Sequence, residues 1–269
     1  MSRAAPEMPV PASRRPAAMT PWAFLWRRAL GGIQPRGAIG SAAYAAWRQT
    51  PLGRTTEALE HRLIVELAGE LAGKRVLDAG CGDGLLTCSL AERGAYISAI
   101  DMDRRMLTAA AARAAGSQVH ATFVEGRLEH LPFPDAAFDV VVAVTVLCFV
   151  SDASVAVREI ARVRRPGGRL VLGELGRWNL WAVGRRVRAW CGSPLWKAAR
   201  FRTAAALCSL IDHAGLSVLA VRGAVYYPPV GWLARALAPS DRWCGRVRTV
   251  GAAFIGLVGG KETRCAPSA

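Results

Sequence analysis

Residues 75–84 read RVLDAGCGDG, an apolar run that ends in Asp78 and then sets Gly80, Gly82 and Gly84 on alternate positions. Glycine belongs where a chain turns sharply and a ligand must pack against bare main chain. A strand entering this turn and a helix leaving it near Leu85 would aim free N–H groups at an anion. A second carboxylate, Asp101, stands 17 positions beyond Gly84, at the end of the next apolar run. That is where a carboxylate accepts hydrogen bonds from two ribose hydroxyls. The chemistry implied is the binding of a nucleoside-bearing molecule. A dinucleotide fingerprint, G-x-G-x-x-G/A counted from Gly80, would need a small residue where Leu85 stands, so a pyrophosphate site is disfavoured.

Such a turn works only on a sheet edge, and the chain supplies the sheet. Apolar runs at 75–80, 96–101, 119–124, 138–146 and 168–175 alternate with helical patterns at 84–93, 103–115 and 152–164. This alternation predicts right-handed βαβ units and a doubly wound, mostly parallel α/β sheet. A helix over 55–69 precedes it, entered through a Thr cap. An insert at 177–202, a helix at 203–214, a strand at 217–227, a Pro-Pro break and an antiparallel last strand near 250–260 follow it. The expected organisation is a disordered tail at 1–20, an N-terminal helical cap at 21–69 that includes a short helix at 22–30, the main domain at 70–261 and a tail at 262–269. Met19 is a candidate initiator.

Four segments in order resemble class I S-adenosylmethionine-dependent methyltransferases, particularly the group that includes ubiquinone- and menaquinone-biosynthesis enzymes. They are VLDAGCGDG (76–84), Asp101, EGRLEHLPFPDAAFDVVVA (125–143) and REIARVRRPGGRLVL (158–172). The resemblance implies a Rossmann-like fold and S-adenosyl-L-methionine as cofactor. It assigns Asp78, Gly80 and Gly82 to the methionine part, Asp101 to the ribose, and Met102 and Leu128 to the adenine. Thr145 would line the methyl-transfer channel. Relatives usually carry an acidic residue where this chain has Arg127, which offers donors only and cannot accept from the adenine amine; Glu129 or a backbone carbonyl would replace it. Tyr44, Trp47 and Trp178 are expected at the substrate side as a lid, where an aromatic face can meet a sulfonium. Helix capping by Asp101 and plain core packing of Trp47 are the competing readings. His130 and Glu174, both at the sheet edge, are the weak candidates for a base, and no metal is expected.

Charge divides the chain. Residues 1–69 carry 9 Lys/Arg against 4 Asp/Glu, residues 70–175 carry 12 against 13, and residues 176–269 carry 14 against 3. All nine Trp lie outside 70–175. A net charge of +15 predicts anionic contacts, but no nucleic-acid module is recognisable, so a small-molecule acceptor is favoured over RNA. The seven cysteines form no CxxC pair and suit a reducing, cytoplasmic setting. Uncharged stretches such as Val140–Ser151 and Thr249–Gly260 run 12 residues, short of the about 20 a spanning helix needs. Within the insert, Leu180, Val183, Val187 and Trp190 form one apolar stripe on a helix, with Arg185, Arg186 and Arg188 mostly away from it. Two readings stay open: the stripe packs on the core, or it makes a peripheral contact with an anionic membrane or a lipid-soluble or acidic substrate.

Overall fold

The computed structural model describes residues 46–260 of the 269, so the proposed helix at 22–30, Tyr44 and both tails lie outside the described residues. Seven strands form one sheet: β1 (Arg75–Ala79), β2 (Tyr96–Asp101), β3 (Ala121–Glu125), β4 (Phe138–Val144), β5 (Arg164–Leu175), β6 (Ser217–Ala224) and β7 (Phe254–Gly260). Their order is β3-β2-β1-β4-β5-β7-β6. The first five pair in parallel, and β7 runs antiparallel between β5 and β6. The winding reverses between β1 and β4, and it is outside the carboxyl ends of strands at such a point that ligands bind in open α/β sheets.

Two cores sandwich the sheet. One is closed by α1 (Pro51–Ala68), with α2 (Leu85–Ala91) and α3 (Arg104–Gly116) contributing Leu90 and Leu107. The other is closed by α4 (Ala153–Val163) through Val157 and Ile160 and by α7 (Ala204–His213) through Leu207 and Ile211. Bare strand positions let α1 approach: a Cβ on Gly256 would meet Leu67 Cδ1 at 2.7 Å. α1 begins a turn earlier than the pattern from Thr55 predicts. Thr50 is the cap, accepting from Gly53 N at 3.0 Å, and Pro51 supplies a preset φ at the first position.

Two further expectations need correction. The strand expected at 168–175 begins earlier: β5 already pairs at Arg164 with Phe138, and the register then shifts across a bulge. The Pro-Pro break is followed directly by α8 (Gly231–Val247), which the sequence reading left without structure. Its buried face is Ala234, Asp241 and Gly245, small or polar residues that give no apolar period, and Pro239 sits inside it.

The insert folds as α5 (Leu180–Trp190) and the short α6 (Pro194–Ala198). Its apolar stripe does not pack on the core. Leu180, Val183, Val187 and Trp190 face outward, and the buried side is Trp181 and Ala182. The physical reason is an aromatic anchor: Trp181 Nε1 donates to Tyr227 O at 2.8 Å, and the Arg185 guanidinium sits 5.6 Å over Trp181 and 5.2 Å over Trp196.

Candidate functional site

The glycine turn leaves β1 exactly where the sheet reverses direction, and Gly80 N and Cys81 N both donate to Ile100 O of β2, at 2.7 and 3.0 Å. Gly80 and Gly82 take φ of +81° and +54°, the left-handed region that favours glycine. Their surroundings differ. A Cβ on Gly80 would collide with Val146 Cγ2 at 2.3 Å, so that glycine is required by the fold. A Cβ on Gly82 would meet nothing within 4 Å. Gly82 therefore keeps main chain bare toward open space, which is what a ligand packing on the loop requires.

Two carboxylates frame the loop. Asp101 at the end of β2 accepts from Gly82 N through Oδ2 and from Asp103 N through Oδ1, both at 2.9 Å. Each oxygen retains a second lone-pair direction for a hydroxyl. Asp101 does not cap α3; that cap is Asp103, accepting from Arg105 N. Asp78 is buried and accepts from Thr87 Oγ1 at 2.6 Å. Burial pushes its carboxyl up to about 6, opposed by the Thr87 bond and helped by Asp101.

A third carboxylate escaped the sequence reading. Asp83, buried in the same loop, is paired with Arg48 from the segment before α1 and with Arg113 of α3, at 3.2 Å from Arg48 Nη1 and 2.8 Å from Arg113 Nη2. Glu57 joins at 3.3 Å from Arg48. These contacts fasten the chain ahead of α1 to the glycine loop and leave Trp47 half-buried against the core. No spacing in the sequence announces a pair 35 residues apart; only the acidic loop and the nearby arginines hinted at it.

Around the same edge, Met102 is exposed just past Asp101, and Leu128 is buried within a tight turn in which His130 N donates to Arg127 O at 3.2 Å. Glu129 in that turn accepts from Ser151 Oγ at 2.7 Å and lies 3.4 Å from Arg127 Nη2. Thr145 follows β4 with a φ of +52°, an unusual conformation for a β-branched residue. Its N–H bonds Gly173 O at 2.6 Å. Glu174 is fully enclosed: Oε1 accepts from Leu147 N at 2.8 Å, while Oε2 has no hydrogen-bond partner. Burial raises its carboxyl to about 7, opposed by the charge of Arg202. Trp178 is exposed beside the guanidinium groups of Arg177 and Arg186, at 5.2 and 5.7 Å. The carboxyl edge thus gathers Asp78, Gly80, Gly82, Asp101, Met102, Leu128 and Thr145; Glu174 is walled off behind the loop after β4, and Trp178 opens the insert.

A doubly wound sheet carrying a glycine loop, a ribose-type carboxylate on the next strand and an antiparallel last strand defines a nucleoside-cofactor enzyme. A family model described as a methyltransferase domain matches residues 77–172. The ubiquinone biosynthesis O-methyltransferase of Idiomarina loihiensis is 32% identical over 172 residues, spanning 61% of this chain and 70% of that one. Among solved structures, an S-adenosylmethionine-dependent methyltransferase of Thermotoga maritima aligns with a TM-score of 0.63 at 22% identity, over 82% of this chain and 96% of that chain. Magnesium protoporphyrin IX methyltransferase of Synechocystis, solved with bound SAH, gives 0.58 at 19% identity, over 90% and 95%. The chain belongs to the class I S-adenosylmethionine-dependent methyltransferases. Its cofactor is S-adenosylmethionine, and the bare Gly82 and the two-acceptor Asp101 fit that group.

Proposed function

We propose that this chain methylates an oxygen of a small, lipid-soluble acceptor, with the cofactor held by Asp78, Gly80, Gly82, Asp101, Met102 and Leu128. Gly82, in a left-handed turn with open space where a side chain would project, is the observation that carries the reading. An O-methyltransferase of ubiquinone biosynthesis among the relatives supports the acceptor class. When bound, S-adenosylmethionine supplies an electrophilic methyl on a sulfonium. The protein contributes alignment and exclusion of water. Asp78 pairs with the α-ammonium, Asp101 takes the ribose hydroxyls, and the strained Thr145 faces the transfer channel. Trp47, next to the Arg48 that pairs with Asp83, serves as part of the lid, and Trp178 stands at the acceptor mouth.

Glu174 acts as a positioning residue through Leu147, because no face of it reaches solvent. His130, exposed at the adenine-side turn, is left as the group able to receive a proton from an acceptor hydroxyl. The test is incubation of the purified chain with S-adenosylmethionine and a panel of catechols, phenolic quinols and amines, scored by mass gain of one methyl. Methylated phenols with unreacted amines are expected. Methylated amines alone would overturn the oxygen assignment.

A further inference from the structure

The helix α5 is built inside out. Leu180, Val183, Val187 and Trp190 share one stripe and are 62%, 53%, 51% and 89% exposed. The cations lie behind or beside them: Arg185 is held between Trp181 and Trp196, and Arg186 lies 5.7 Å from the rings of Trp178 and Phe201. A helix on a globular protein ordinarily turns its apolar stripe inward; four exposed apolar side chains in register mark a surface meant to be covered.

The surface continues past the helix. Trp178 O accepts from Gly251 N at 3.2 Å, which sets exposed Val250 beside exposed Trp178, and exposed Val247 ends α8 shortly before. α8 also exposes Trp232 and Trp243, which stand three turns apart on one helix face. The charge beside α5 has one sign. Arg177, Arg186, Lys197, Arg200 and Arg248 are exposed, and Arg246 of α8 pairs with Glu66 of α1 at 3.7 Å; between positions 176 and 260 the acids are Asp212, on α7, and the buried Asp241.

We propose that the outward face of α5, extended by Trp178 and Val250, docks on an anionic lipid surface. Charge complementarity selects this occupant. A second copy would bring arginines against arginines. A polyanion such as RNA would satisfy the arginines but offer nothing to Val183 and Val187. A bilayer with anionic headgroups supplies both an apolar layer and negative charge, the pairing that suits an amphipathic helix bordered by Trp and Arg.

The placement serves the reaction proposed above. The insert is tied over the loop after β4 by Arg200 N donating to Cys148 O at 2.9 Å and by Arg202 Nη1 donating to Leu147 O at 3.0 Å. The docking face therefore stands at the same sheet edge as Thr145 and Gly82. A lipid-soluble acceptor would enter from the membrane side. The docking itself requires no methyl transfer, and only this purpose rests on the functional reading.

The test is co-sedimentation of the full chain with phosphatidylcholine vesicles, with and without phosphatidylglycerol, at low and high salt. The expected result is binding that needs phosphatidylglycerol and fades with salt as headgroup attraction is screened. Val183→Glu/Val187→Glu, at exposed positions away from the cofactor site, should bind such vesicles more weakly by roughly a hundredfold, since burying each valine is worth about a factor of ten. That variant should keep the parent's circular dichroism and its affinity for S-adenosylhomocysteine, which separates failure of docking from failure of the cofactor assignment. Trp190→Ala, a second exposed position, should weaken binding in the same direction. No binding to anionic vesicles at low salt would overturn the proposal. So would undiminished binding by both variants, displacement by single-stranded RNA at equal phosphate, or a dimer that buries Trp190 in place of lipid.

Discussion

The stretch of the chain before Gly176 and the shorter stretch after it use the same residue types for opposite ends. In residues 70–175 acids and bases nearly balance, and the important carboxylates are turned inward to backbone amides: Asp101 to Gly82 N and Asp103 N, Glu174 to Leu147 N. Beyond 176 the acids almost vanish, the arginines lean on tryptophans, and apolar side chains are left in solvent. A buried carboxylate bound to main-chain N–H groups fixes a loop in one conformation, which a cofactor site needs. An exposed stripe ringed by cations fixes nothing until a second surface arrives. The cofactor region is preorganised; the later region would, on the docking proposed above, select where the enzyme works.

The sharpest way to break this contrast is at Gly82. Gly82→Val should abolish cofactor binding in calorimetry with the circular dichroism preserved, because the added side chain enters the open space over the loop and takes a φ that valine resists. Normal binding would make the loop only a turn. Next in size, Asp83→Ala removes the buried carboxylate shared by Arg48 and Arg113 and leaves Arg48 with Glu57 as its remaining acidic partner among those described. It should cost about 3–5 kcal/mol of stability in denaturant titration. A loss under about 1 kcal/mol would mean the strap is held by something else.

Asp101→Ala should weaken S-adenosylhomocysteine binding roughly a hundredfold, the scale of a charged acceptor losing its hydrogen bonds, and Asp101→Asn should be milder because one acceptor survives. Binding to the parent protein should also tighten about tenfold between pH 5 and pH 7 as Asp78 ionises near 6 and meets the α-ammonium. A flat profile would remove Asp78 from the site.

Glu174→Gln probes the smallest effect. The folded carboxyl titrates at about 7, above the about 4.3 of an unfolded chain. The fold therefore holds a proton that the unfolded chain releases, and the stability linked to this group is complete below about 4.3 and lost as pH rises through 7. Glutamine cannot ionise, so the variant should be more stable than the parent at pH 8 by on the order of 1–2 kcal/mol and equal to it at pH 4. Equal melting at both values would contradict an enclosed carboxyl.

What could be read ahead of the structure follows the same divide. β2 was legible to the residue, and β1, β4 and α4 nearly so, because buried parallel strands and amphipathic helices write their period into the sequence. The glycine loop and Asp101 were legible for the same reason: local geometry demands those residue types. α8 was not, since its packing face is Ala, Asp and Gly and it contains a proline. The direction of the α5 stripe was not either, because period alone does not say which side faces the protein; the Trp181 bond to Tyr227, across 46 residues, decides it. Asp83 needed two arginines from distant segments, and only folding brings them together.

The central claim is that the preorganised region holds a nucleoside on a sulfur amino acid and not a dinucleotide. Titration calorimetry of the full chain with S-adenosylhomocysteine and then with NADH tests it most directly. The account predicts a saturable one-to-one isotherm for S-adenosylhomocysteine, lost in Gly82→Val, and no heat of binding for NADH. NADH binding with no response to S-adenosylhomocysteine would contradict it.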